Sequence, residues 1–405
     1  MIYEWKRKLM NLLILLSAYN SATPSGENQV VANEIRLLRT KGHVVFSPDL
    51  SASNPKKSWI KILFKNYVFR KIIPKWIYIY TSRKYLKKNQ IQLVHCHNLF
   101  PLVDLSILDA ALQMDIPIVF SIHNYRFLCI NGLFYRDKQV CTLCIDSNKF
   151  GKKYKCYKNS RILSILAAKS QIQYLDYLRL ASRILVLNNI TKSILINKGI
   201  KSKNIILKRN FTEDRHSTEF YKEKSKKNLV WVGRIDDSKG LAHLIEAWNK
   251  SNLPRLGYQM NVVGDGPLRK KLEIMEVRNS SINFMGSKSR SELDAIYSES
   301  DFLLVSSRWL EGFPMVTVEA AMHNLRVMAP KFGSFLDLES QSWVSLVGNE
   351  VGEWVQAINQ IPNYKPTNEP RNWYLENCTE EAVISKLVNL YEDSIYNFIV
   401  SQDEE

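Results

Sequence analysis

No run of apolar residues in this 405-residue chain is long enough to span a bilayer as a helix. The longest, Leu9 to Ala18, falls well short of the roughly 20 residues a spanning helix needs. It also lacks the small-residue cleavage site of a secretory leader, and reads better as the first strand of a buried sheet. The residues before Met10 add little to that strand. A cytoplasmic address is therefore expected. No G-x-G-x-x-G follows the strand, which argues against a nicotinamide-dependent dehydrogenase. The six cysteines are unevenly placed. Cys96 and Cys378 stand apart, while Cys129, Cys141, Cys144 and Cys156 cluster. A disulfide framework is not expected in a reducing compartment. The clustered four, with a CxxC knuckle, have the composition of a tetrahedral zinc site, and small semi-buried thiols are the alternative.

Acidic residues are missing from one long stretch, with none between Asp49 and Asp104. Residues 1–210 hold 35 Lys/Arg against 10 Asp/Glu, a net of +25, whereas residues 211–405 hold 21 against 29, a net of −8. From Lys56 to Lys88 there are eleven Lys/Arg, interleaved with Trp59, Phe64, Tyr67, Phe69, Trp76, Tyr78, Tyr80 and Tyr85. Such a stretch suits nucleic acid, an anionic lipid surface or a plain solvated face. A hydrophobic content of 45% with 23% charged residues excludes disordered and fibrous classes. The length suits two domains.

Short apolar runs alternate with helix-like segments, the pattern of parallel sheets wrapped by helices. Strands are expected at Leu12–Leu16, Val44–Ser47, Leu93–Cys96, Ile118–Ile122, Ile184–Leu187 and Ile205–Lys208. A second set is expected at Leu229–Val232, Met260–Val263, Ile282–Met285, Phe302–Val305, Arg326–Ala329 and Trp343–Val347. Each half then reads as its own doubly wound α/β domain, with Thr212 to Asn228 as linker. A last amphipathic helix runs from about Thr379 to Phe398, with Val383, Leu387, Leu390 and Tyr391 on one face. Ligands of open α/β sheets bind beyond the carboxyl ends of the strands, so the turns there carry the chemistry.

The strongest such turn is EGFPMVTVEA, Glu311 to Ala320. Gly312 and Pro314 mark a tight turn, with Pro favoured at the first helical position. The helix from Met315 then offers its first N–H groups to an anion. Two carboxylates, Glu311 and Glu319, flank that turn. Carboxylates only accept hydrogen bonds, so the ligand should offer hydroxyls as well as phosphate, as a sugar nucleotide does. The second turn is VGRIDDSKG, Val232 to Gly240. Here Arg234 can grip phosphate bidentately and Lys239 supplies a mobile charge.

The second half resembles the nucleotide-binding domain of retaining GT-B glycosyltransferases of family 4. The shared motifs are G-R-x-x-x-x-K-G from Gly233 to Gly240, VGDGP from Val263 to Pro267, and paired glutamates from Glu311 to Glu319. The resemblance implies that Arg234 and Lys239 hold a diphosphate in place of a metal. It implies that Glu319 accepts from ribose hydroxyls and Glu311 from the donor sugar, with Gly312, Phe313 and Met315 lining the donor site. The turn after Met285 resembles the stretch lining the base. In the first half, LLSAYNSATPSGENQVVANEIRLLRTKGHVV resembles the family's opening strand and glycine loop, placing Gly26 near the donor phosphate. A second glycine common in that loop is Ser25 here. The turn SIHNYR resembles the family's T-x-H turn, which sets His123 beside the reacting sugar, with Ser121 in place of threonine. His95 and His97 lie at another strand end and are candidates to line the acceptor side. The HNYR…C…CxxC layout resembles enzymes of capsular or cell-surface polysaccharide assembly.

The fold implied is GT-B, two Rossmann-like domains facing across a cleft. Residues 1–211 form an acceptor-binding domain with a Cys-rich loop at 129–156. Residues 225–375 form the nucleotide-sugar-binding domain, and residues 376–405 a helix packing back on the first. The implied activity is hexosyl transfer from a UDP- or GDP-sugar to a glycan or lipid-linked acceptor, with retention of configuration. No DxD-like motif stands at a strand end, so no catalytic metal or cofactor is expected. Expected partners are the nucleotide sugar, the acceptor and the anionic inner membrane surface, where the protein would be peripheral, with no nucleic acid. A sugar-nucleotide epimerase of the same fold, or a basic nucleic-acid-binding protein, are the alternatives.

Overall fold

The computed structural model describes residues 9–16, 26–47, 74–99, 105–216, 227–276, 279–365 and 367–403. Trp59, Phe64, Tyr67 and Phe69 of the basic stretch, and most of the expected linker, lie outside them. The chain forms two compact units. One comprises Met1–Gly132, Leu143–Lys208 and Val383–Glu405, the other Leu133–Thr142 and Arg209–Ala382.

The first unit is built on six strands, β1 (Asn11–Leu15), β2 (Val44–Phe46), β3 (Leu93–Cys96), β4 (Ile118–Ile122), β7 (Arg183–Val186) and β8 (Ile205–Leu207). They lie in the order β2-β1-β3-β4-β7-β8, and every pair is parallel. All residues of β3 and β4 are buried. That near-continuous apolar character is what a parallel strand covered on both faces requires. The helix Gly26–Thr40 inserts Val31 and Leu38 into one core cluster with Leu12, Ile14 and Val119. From the last helix, Glu380–Asp403, Ile384, Leu387, Val388 and Tyr391 enter the same cluster, three or four residues apart on one helical face. Each such aliphatic side chain contributes roughly 1.5–3 kcal/mol by leaving water.

The second unit repeats the plan with β9 (Asn228–Val232), β10 (Gln259–Val263), β11 (Ile282–Gly286), β12 (Phe302–Leu304), β13 (Arg326–Pro330) and β14 (Val344–Val347). Their order, β11-β10-β9-β12-β13-β14, is parallel throughout and reverses direction between β9 and β12. The carboxyl ends of those two strands make the crevice where such sheets bind ligands. Trp231, Trp248 and Trp354 fill the core. The buried indole of Trp248 is satisfied by Ser281 Oγ at 2.9 Å.

All twelve expected strands are present, with ends shifted by at most one residue. A short hairpin, β5 (Tyr135–Arg136) and β6 (Gln139–Val140), was not expected. It belongs to the second unit, where the Tyr135 hydroxyl donates to Asp237 O at 3.3 Å. Of the two readings left open for the clustered cysteines, no zinc set is formed among the described residues. Cys129, Cys144 and Cys156 of the first unit do not gather into a set of metal ligands among the described residues. Cys129 Sγ donates to Asn131 Oδ1 at 2.9 Å. Cys156 packs against the cluster of Ile130, Tyr157, Ala167 and Ala168. Among the described residues no helix is long and apolar enough to cross a membrane.

Candidate active site

In the second unit the turn after β9 is locked to the end of β12. Asp236 caps a short 3-10 turn, Asp237–Lys239, accepting from the N–H groups of Ser238 and Lys239 at 3.0 and 3.3 Å. Gly240 follows with φ of 69°, and a Cβ there would meet Ser306 O at 2.0 Å. Only glycine allows that approach. The VGDGP turn closes on the same loop. A Cβ on Gly264 would lie 1.9 Å from Gly233 O, and Ile235 N donates to Asp265 O at 2.9 Å.

This scaffold brings Lys239 and Glu311 together. Lys239 Nζ donates to Glu311 Oε1 at 2.6 Å and stands 5.3 Å from the Trp309 ring centroid. Glu311, only 5% exposed, also accepts from Ser307 Oγ at 2.6 Å. Arg234 points outward, 71% exposed at its side chain, with Asp236 at 3.3 Å. Pro314 caps the helix Met315–Met322 from outside rather than opening it. Gly312 and the buried Phe313 form the approach to that helix, and Asn210 donates to Phe313 O at 3.5 Å. The Tyr297 hydroxyl donates to Glu319 Oε2 at 3.1 Å. Burial pushes the Glu319 carboxyl above the usual carboxylate range, and Arg215 works against that rise. Arg215 is fixed by a two-pronged bond to Asp294 at 2.9 and 3.2 Å. Ser307, Tyr297 and Arg215 carry no motif signal, and only their contacts identify them.

In the first unit the polar residues collect beyond β3 and β4. His123 lines a small cavity with Asn98, Asn124 and Arg126. Its Nε2 lies 2.9 Å from His97 Nδ1, and the rings stack with centroids 5.2 Å apart. Burial, then the neighbouring His97 and Lys208, hold the His123 imidazole well below its usual pKa, so it is neutral at pH 7. Gly26 opens the helix Gly26–Thr40. Next to it Glu27 sends Oε2 towards the amides of Asn124 and Asn98, at 3.3 and 3.5 Å. Its Oε1 is buried without a hydrogen-bond partner. Desolvation raises the Glu27 carboxyl to about 7, against the pull of Arg126 and the two amides.

His95 and His97 do not line an acceptor surface, and both are fully buried. Both ring nitrogens of His95 are engaged, Nδ1 with the Tyr391 hydroxyl at 2.6 Å and Nε2 with Ser121 Oγ at 2.8 Å. β3 is covered on both faces, so His95 and the adjoining His97 meet no solvent. Glu34, His95 and His97 offer ligand atoms within 4.8 Å of one another. Glu34 is nevertheless already paired with the Lys208 ammonium, whose charge opposes a metal cation.

Two six-stranded parallel Rossmann-like sheets are the architecture of the GT-B class. Residues 24–212 match Glycosyltransferase Family 4, and residues 226–363 match the family described as Glycosyl transferases group 1. The chain belongs to the group 1, family 4 glycosyltransferases. It is 24% identical over 320 residues to an uncharacterised glycosyltransferase of Methanocaldococcus jannaschii, covering 77% of this chain and 78% of that one. The amylovoran biosynthesis glycosyltransferase AmsD of Erwinia amylovora is 26% identical over 183 residues, 43% of this chain and 50% of AmsD. The chain spans about half the length of such relatives; for a Klebsiella pneumoniae protein in the cps region it is 46%, at 29% identity and 42% of this chain. The crystal structure of Anabaena HepE in complex with UDP superposes with a TM-score of 0.63 at 13% identity, covering 95% of this chain and 100% of HepE.

Proposed function

We propose that this glycosyltransferase moves a hexose from a UDP- or GDP-sugar to a glycan or lipid-linked acceptor, with retention of configuration and no catalytic metal, in cell-surface polysaccharide synthesis. The observation that carries the reading is the Lys239–Glu311 contact of 2.6 Å at the switch point of the second sheet. A buried carboxylate with its own ammonium is charge-balanced before the ligand arrives. The lysine is free to swing to a diphosphate once one binds.

In this reading Lys239, the exposed Arg234 and the first N–H groups of the helix from Met315 take up the negative charge that grows as the sugar–phosphate bond stretches. Glu319, oriented by Tyr297, accepts from the ribose hydroxyls. Glu311 accepts from the donor sugar, and Gly312 and Phe313 shape the approach to it. In the first unit Gly26 meets phosphate, and neutral His123 bonds a sugar hydroxyl. HepE binds UDP and AmsD serves amylovoran biosynthesis, which supports a uridine donor and a polysaccharide product.

A thermal-shift panel of UDP, GDP, ADP and their sugars tests the donor site. A ligand at a hundred times its dissociation constant stabilises by about 2.7 kcal/mol. One nucleotide should produce that shift, and Lys239→Ala and Glu319→Ala should each abolish it. Lys239→Ala also lowers the unliganded Tm, because it strips a buried carboxylate of its cation. Turnover should release free nucleoside diphosphate, and an isomerised donor in its place would mean an epimerase. A full shift in both variants removes the assignment.

A further inference from the structure

Behind His123 lies a row of buried groups that the proposed transfer does not touch. Glu34, on the helix Gly26–Thr40, and His97, at the end of β3, are both fully buried. One oxygen of Glu34, Oε1, accepts from Lys208 Nζ. The other, Oε2, has no hydrogen-bond partner and stands 3.7 Å from His97 Nε2, which has none either. His97 Nδ1 in turn lies 2.9 Å from His123 Nε2.

A neutral imidazole has one N–H and one lone pair, so this row can run in only two directions. If His97 carries its proton on Nε2, that N–H faces the carboxylate oxygen. His97 Nδ1 must then accept, His123 must donate from Nε2, and His123 Nδ1 is left with a lone pair. In the opposite direction the His97 Nε2 lone pair faces a carboxylate lone pair inside a dry core, and two buried acceptors oppose each other unpaired. The first direction is favoured, because an unsatisfied buried acceptor keeps its full desolvation cost. Lys208 balances the carboxylate from the far side and leaves Oε2 for His97.

We propose that Glu34 is a positioning residue that acts through His97 to fix His123 as the Nε2–H tautomer, so that Nδ1 accepts from a hydroxyl of the bound sugar. The proposal rests on the reading that His123 meets the donor sugar, and deepens it. A metal ion on Glu34, His95 and His97 is the rival use of the same atoms.

Long-range 1H–15N spectra of the full chain report the tautomer directly, with the His123 signals assigned by their loss in His123→Ala. Wild type should show a protonated Nε2 and an unprotonated Nδ1 on His123. In Glu34→Gln the amide oxygen still accepts from Lys208 and its NH2 faces His97. The row then reverses, and His123 should carry its proton on Nδ1. The same variant should lose about tenfold in kcat with KM for the donor little changed, the size of one misdirected hydrogen bond. Glu34→Asp, which keeps a carboxylate, should retain the wild-type tautomer. A protonated Nδ1 in the wild type, or an unchanged tautomer in Glu34→Gln, overturns the proposal. So does stoichiometric zinc uptake by wild type that Glu34→Gln abolishes. Because the spectra need no turnover, a wild type that transfers no sugar sinks the glycosyltransferase reading and leaves the tautomer result standing separately.

Discussion

Glu27 shows how much a single position departs from what its letter implies. In the sequence it is one acid in the first turn of a helix, where a negative charge is ordinarily welcome. In the fold its carboxyl is desolvated beside Asn98 and Asn124, and is raised to about 7. Between the ordinary value of 4.5 and about 7 the native state therefore binds more protons at this site than the unfolded chain. Stability contributed here is full below that window and is lost as pH rises through it. Glu27→Gln removes the dependence. In chemical denaturation, the stability of Glu27→Gln relative to wild type should rise between pH 4.5 and pH 8 and level off above. A difference that stays flat across this range would place the carboxyl in water. The histidines teach a related lesson. Their positions at strand ends follow from the apolar runs before them, and the resemblance of SIHNYR to the family's turn is what singles out His123. That His95 and His97 turn inward does not follow, because period-two alternation does not say which face of a doubly covered strand still meets solvent.

At the scale of elements, most of the architecture could be read directly. Parallel strands buried on both faces are written as unbroken apolar runs, and Gly240, Gly264 and Gly266, in the turns after β9 and β10, stand where a Cβ would come within 2.5 Å of backbone atoms. The hairpin β5–β6 escaped for a physical reason. Its two-residue turn, Asp137-Lys138, has φ of 52° and 62°, a primed turn that usually announces itself with Asn-Gly or Asp-Gly. Lysine gives no such signal and sits in a left-handed conformation that costs it roughly 1–2 kcal/mol. Lys138→Gly should relieve part of that strain and raise unfolding stability by about 0.5–1 kcal/mol, after glycine's greater loss of freedom on folding. Urea titrations of the two proteins would show it, and a lower midpoint for the glycine variant would contradict the turn geometry. The cysteine spacing left two readings open, zinc ligands or semi-buried thiols, because spacing alone does not say whether side chains converge.

Across the whole molecule the charge is divided, +25 over residues 1–210 against −8 over residues 211–405. Folding does not hide the basic part that is described. The helix Lys75–Lys88 buries only Leu86, and leaves Trp76 at 65% and Tyr80 at 63% exposure beside Lys75, Arg83, Lys84, Lys87 and Lys88. Solvated charge alone gives no reason to expose an indole and phenols together on such a helix. We propose a membrane surface as the reason, because aromatic rings settle at headgroup level while each nearby Lys or Arg adds about 1 kcal/mol against anionic lipid. The first unit is also the one in which we place the acceptor, so a lipid-linked acceptor and this helix would meet the same surface. Sedimentation with vesicles separates the contributions. The protein should bind vesicles containing phosphatidylglycerol at low salt and leave them at high salt, where the screening length falls to about 3 Å at 1 M. Neutral phosphatidylcholine vesicles should bind little at any salt. Trp76→Ala together with Tyr80→Ala should weaken the low-salt binding without altering its salt dependence, since rings add depth and lysines add attraction. Binding that survives 1 M salt would mean that apolar insertion, and not the charge of the first half, holds the protein to the bilayer.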